Sequence, residues 1–186
     1  MQWLNDKEHY GRLSVTLHWL MLVLLAAVYA CMELNDIFPR GSAGRDAMKT
    51  WHYMLGLSVL ALVLVRVPLA LAGATPRIVP VPPPWQAWLA TAMKLALYAF
   101  MVATPLLGWL LLSAKGSPIP FFGLNLPALI GEDKATAHTI KEIHETLANL
   151  GYFLIAAHAA AALFHHYVVR DNTLRRMLPG GDGVGY

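Results

Sequence analysis

The sequence predicts an all-α membrane protein, a single bundle of four transmembrane helices. Three observations carry that reading. Of 186 residues, 57% are hydrophobic and only 13% charged, with a mean hydropathy of +0.49, too few charges to cover a water-soluble surface. Four apolar stretches reach the roughly 20 residues that a bilayer-crossing helix needs. Histidines are set into those stretches at helical spacing.

The spans run over about 13–32, 51–72, 86–113 and 147–169 within one membrane-embedded domain, 1–186. The first reads as an uncleaved helix. Its apolar core outlasts a signal-peptide core, and "AVYACMEL" offers a poor small-residue cleavage site. The second opens on "WHYMLG" and closes near Arg66. The third contains Pro105, which removes a backbone donor and predicts a kink. The fourth carries His144 at its entrance and His158, His165 and His166 within.

Between spans, "ELNDIFPRGSAGRDAMKT" is a polar loop and "GATPRIVPVPPPWQ" an extended proline-rich one. The longest, "KGSPIPFFGLNLPALIGEDKATAHTIKE", is amphipathic in patches and suited to the membrane interface. His9 and His138 read as loop residues. Trp19, Trp51, Trp85 and Trp88 lie near helix ends and read as interfacial belt residues.

Orientation follows from Lys and Arg near the helix ends. With both termini cytoplasmic, Lys7, Arg12, Arg66, Arg77, Arg170, Arg175 and Arg176 lie inside, against Arg40, Arg45, Lys49, Lys115, Lys134 and Lys141 outside. The "RDNTLRR" cluster after the last helix favours the same answer, because basic residues there meet an anionic leaflet. A net charge of +3 with scattered basic residues argues against a nucleic-acid partner. The single cysteine, Cys31, excludes an internal disulfide and offers no cysteine pair for a metal.

His144 and His158 are fourteen residues apart, about 21 Å along a helix and back on nearly one face. His18, about two turns into the first helix, falls level with His158. His52, at the start of the second, falls level with His144. Two opposed imidazole pairs result, one near each membrane surface. Ionisable groups in a span are costly unless paired, and by default mark a functional site. Opposed imidazoles with a gap between them suit the axial positions of a flat iron macrocycle. Zinc is a poorer match, because it wants three or four converging ligands.

Gly56, one turn from His52, and Gly151, midway between His144 and His158, leave room for a planar ligand. Arg66, fourteen residues after His52, offers a cation for a propionate, or snorkels to the interface. Spacing alone leaves His165 as a rival to His158 for the place opposite His18.

With "SVTLHWL", "WHYMLGLSVLALVLVR", "IHETLANLGYFLIAAHAAAALFHHY" and "RDNTLRRMLP" in place, the chain resembles the bacterial cytochrome b561 family over nearly its full length. The His, three residues, Gly, later Arg pattern at His52, Gly56 and Arg66 also resembles cytochrome b subunits of hydrogenases. The resemblance implies a four-helix bundle enclosing two b-type haems in a bacterial inner membrane. His52 and His144 would hold the periplasmic haem, and His18 and His158 the cytoplasmic one. His165 is then free, and by similarity lines a ubiquinone site.

The activity implied is electron transfer from superoxide on the periplasmic side to ubiquinone. The alternatives are a redox subunit fed by a periplasmic dehydrogenase, and a haem-binding membrane protein without turnover. Six loop cations would attract an anionic donor, but Glu33, Asp36, Asp46, Glu132, Asp133, Glu142 and Glu145 lie among or beside them.

Overall fold

The structure is a computed structural model that describes residues 3–178. It contains four long helices, α1 (Arg12–Glu33), α2 (Ala43–Ala72), α3 (Pro84–Ala114) and α4 (Lys134–Phe164), and a two-stranded hairpin, β1 (Pro120–Phe121) with β2 (Leu124–Asn125). All four helices are long and apolar enough to cross a membrane. Their outward residues stay apolar, with Leu71 82% and Phe153 75% exposed, the surface expected of a protein solvated by lipid chains.

Two helices begin earlier than their apolar stretches. The N-terminus of α2 is set by Ser42, whose hydroxyl accepts the Arg45 N–H. In α4, Asp133 accepts both the backbone N–H and the hydroxyl of Thr136, capping a helix thirteen residues upstream of the apolar span. The added turns are polar and carry the i,i+4 pairs Lys141 with Glu145 (3.3 Å) and His138 with Glu142 (3.7 Å). His138 is therefore a helical residue, not a loop one. Pro84 opens α3, where its missing N–H costs nothing.

The chain divides into two compact units. One, here the terminal unit, comprises the chain up to Leu20, Leu64–Ala99 and the chain from Leu150 onward; the other, the hairpin unit, comprises Met21–Val63 and Phe100–Asn149. In the hairpin unit, Leu57, Leu112 and Ile119 form a buried cluster against Tyr53, Trp109, Phe121 and Leu126. The hairpin turns through Phe122 and Gly123, both at positive φ (47° and 87°), as a two-residue turn with right-handed strand twist requires. Tyr29 donates to the Ala148 carbonyl at 2.7 Å, tying α1 to α4.

In the terminal unit, the segment after α4 folds back onto the proline-rich loop. Asn172 Oδ1 accepts the Val79 N–H at 2.9 Å, the Asn172 N–H returns to the Val79 carbonyl at 3.1 Å, and Arg176 donates to the Pro76 carbonyl. Trp19, expected in an interfacial belt, has a specific partner here: its Nε1–H donates to the Met177 carbonyl at 2.6 Å.

Candidate functional site

In the hairpin unit, α2 presents His52 and α4 presents His144, with ring centroids 6.2 Å apart and planes crossed at 82°. Each ring is anchored from behind. His52 Nδ1 lies 3.1 Å from the Val28 carbonyl of α1, and His144 Nδ1 lies 3.0 Å from the Thr104 carbonyl of α3. A carbonyl only accepts, so each Nδ1 carries the proton and each Nε2 keeps a lone pair. That backing orients an imidazole as a metal ligand.

In the terminal unit, α1 presents His18 and α4 presents His158, with centroids 6.1 Å apart and planes at 61°. Trp19 stands edge-on to His18 at 5.6 Å. The sequence left His158 and His165 as rivals for this place. It is His158 whose ring lies against His18, whereas His165 Nδ1 lies 2.6 Å from Asp171 Oδ2.

The spacing tests the fit of a haem. Two imidazole–metal bonds of about 2 Å, plus about 1.1 Å from each nitrogen to its ring centre, place the centroids about 6.2 Å apart. Both pairs meet that distance. Neither meets the needs of a bare ion, because no cluster of three or more His, Cys, Asp or Glu side chains forms among the described residues. A group bringing its own in-plane donors suits a two-imidazole site.

The surroundings agree. A Cβ at Gly56 would meet nothing within 4 Å, so open space lies beside the His52 helix. Gly151 is buried in the terminal unit. Arg66 lies within electrostatic reach of His18 and His158, and its guanidinium is 6.0 Å from the Tyr98 ring centre. No carboxylate pairs with Arg66 among the described residues, which leaves its charge available to an anion.

Prokaryotic cytochrome b561 is the description of the family model that matches residues 9–180. The chain belongs to that family. It is 44% identical to cytochrome b561 homolog 1 of Escherichia coli over 172 residues, covering 92% of this chain and 98% of that one. It is 38% identical to the probable superoxide oxidase CybB of Yersinia pestis, over 92% and 97% of the two chains. Cytochrome b561 homolog 2 of Escherichia coli is 28% identical over 96% of this chain and 95% of its own. Family membership makes this a four-helix membrane bundle that binds b-type haem and transfers electrons.

Several supporting groups were not legible from spacing. Val28 and Thr104 act through backbone carbonyls. Gly108 lets the His144 ring close on α3: a Cβ there would stand 3.4 Å from His144 Cε1. A glycine in an apolar helix was the one available sign of it. The loop cations are also partly spent. Arg45 pairs with Asp36, Lys49 with Asp46 at 3.4 Å and Lys141 with Glu145, whereas Arg40, Lys115 and Lys134 have no ion pair among the described residues.

Proposed function

We propose that this chain is an inner-membrane di-haem cytochrome b that oxidises superoxide on the periplasmic side and reduces ubiquinone, with both termini cytoplasmic. The observation that carries the reading is the two imidazole pairs, each at the ring spacing that one iron requires. His52 and His144 hold the periplasmic haem, and His18 and His158 the cytoplasmic one. Gly56 and Gly151 admit the macrocycles, Arg66 takes a propionate, and His165 contacts ubiquinone.

Bound between His52 and His144 and between His18 and His158, haem would supply one-electron transfer. The protein's own residues do the rest. The Val28 and Thr104 carbonyls hold two imidazoles with Nε2 turned away from the backbone. Arg40, Lys115 and Lys134 attract an anionic donor, opposed by the carboxylates of Glu132 and Asp133 beside the last two. Overall, two superoxides lose one electron each and leave as O2, while one ubiquinone gains two electrons and two protons.

Superoxide is supported by the name carried by the Yersinia relative. Stopped-flow spectroscopy of the purified protein tests it. Pulsed superoxide should reduce the haems, and added ubiquinone should reoxidise them. Haems that stay oxidised under superoxide but are reduced by a periplasmic dehydrogenase would instead identify a redox subunit. Ready loss of haem, with no donor able to reduce it, would identify a binding protein without turnover.

A further inference from the structure

The segment beyond α4 holds a buried acid–imidazole couple that the haem sites do not use. His165 follows His158 by seven residues, which places it about 10 Å further along the axis on nearly the same face. There the helix changes character: His165–Val169 form a π-helical turn, a rare form that tends to occur at functional sites. Arg170 closes it in the left-handed conformation (φ 59°). The N–H groups of Arg170 and Asp171 both donate to the His165 carbonyl. This reversal carries Asp171 back onto a ring six residues earlier, with His165 Nδ1 at 2.6 Å from Asp171 Oδ2.

Each oxygen of the carboxylate has a hydrogen-bond partner. Its side chain is 1% exposed, its other oxygen accepts the Thr173 N–H at 2.8 Å, and the adjoining Asn172 is bonded to Val79. Burial works to raise the Asp171 carboxyl, but the hydrogen bonds from His165 and Thr173 outweigh it and hold the group below its ordinary range. Asp171 is thus an anion facing the imidazole. Arg176 also interacts with Asp171 and lies 5.6 Å from the Tyr10 ring centre. His165 keeps 21% of its side chain exposed. With Nδ1 committed to Asp171, Nε2 is the atom left to act.

We infer that Asp171 is a positioning residue that sets His165 to deliver a proton from Nε2 to a ubiquinone carbonyl oxygen. The inference rests on the reading of His165 as a ubiquinone contact. Ubiquinone becomes ubiquinol by taking two electrons, here from two superoxides, and two protons. One proton crosses from His165 Nε2 as an oxygen–hydrogen bond forms and the nitrogen–hydrogen bond breaks. The other, and the one that restores His165, come from water. An ionised carboxylate behind Nδ1 fixes the tautomer and stabilises the imidazolium without itself taking the proton, the arrangement that suits a histidine to acid–base work.

The test uses the purified holoprotein, chemically reduced and mixed with ubiquinone-1 across about pH 5.5 to 8.5. Asp171→Asn should keep both haems and its apparent affinity for ubiquinone-1. Its saturated reoxidation rate should fall at least tenfold, and its pH profile should move toward acid. His165→Gln should be at least as slow, and the double variant no slower than His165→Gln alone. A slow His165→Gln beside an Asp171→Asn with wild-type rate and profile overturns the inference alone. A wild-type rate in His165→Gln overturns the ubiquinone contact on which it rests. Should Asp171→Asn fail to assemble, the reduced wild-type protein labelled with 15N-histidine decides. The resonances lost in His165→Gln should report a proton on Nδ1 when the ring is neutral, and the opposite tautomer overturns the inference.

Discussion

Gly108→Val is expected to weaken haem retention at the His52–His144 pair while leaving the other pair intact. A Cβ at 108 would sit 3.4 Å from His144 Cε1. A γ-carbon reaching about 1.5 Å further toward the ring would overlap it, and valine is too stiff at χ1 in a helix to swing aside freely. The ring must then move, breaking the 3.0 Å bond from Nδ1 to the Thr104 carbonyl. Loss of such a backing partner costs about 10- to 100-fold in metal affinity, or about 1.4–2.7 kcal/mol. Gly108→Ala, whose Cβ stops at ordinary contact distance, should be nearly neutral. Haem quantification after graded detergent extraction, alongside the reduced-minus-oxidised spectrum, reads the difference. If Gly108→Val keeps both haems as firmly as the wild type, the backing bond does not hold the ring and the reasoning fails.

Other outcomes follow from the same geometry. His158→Ala or His18→Ala should leave one haem per chain, still reducible, with quinone reduction abolished; two haems after His158→Ala would contradict the pairing. Arg66→Met removes a positive charge that disfavours the oxidised, more positive iron, so a redox titration should show one midpoint potential lowered and the other unmoved. Trp19→Phe loses the bond to the Met177 carbonyl and should cost about 1 kcal/mol of thermal stability in a calorimetric scan. Because the Asp171 carboxyl is held below its ordinary range, its contribution is full above that range. It should vanish as pH falls through the lowered value, so melting curves of wild type and Asp171→Asn should converge in acid.

The four spans were legible because lipid demands long uninterrupted apolar runs, and the histidine pairs because fourteen residues return a helix to one face. The early starts of α2 and α4 were not, since their first turns are polar and are set by the single caps Ser42 and Asp133. His158 and His165 share a stripe, so spacing could not separate them. What separates them is the left-handed Arg170, which folds Asp171 back and commits His165 elsewhere. The supports at Val28 and Thr104 were invisible for another reason: a backbone carbonyl is the same atom pair whatever side chain it bears.

Support from main-chain atoms governs how such a chain tolerates change over evolutionary time. Because the atoms that back His52 and His144 belong to the main chain, residues 28 and 104 are free to drift among apolar types without disturbing either ring. A single inserted residue within α1 or α3 is a different matter. It would turn every later carbonyl by about 100° about its helix axis, aiming it away from the imidazole. These supports should therefore accept point mutations widely and reject insertions and deletions almost entirely.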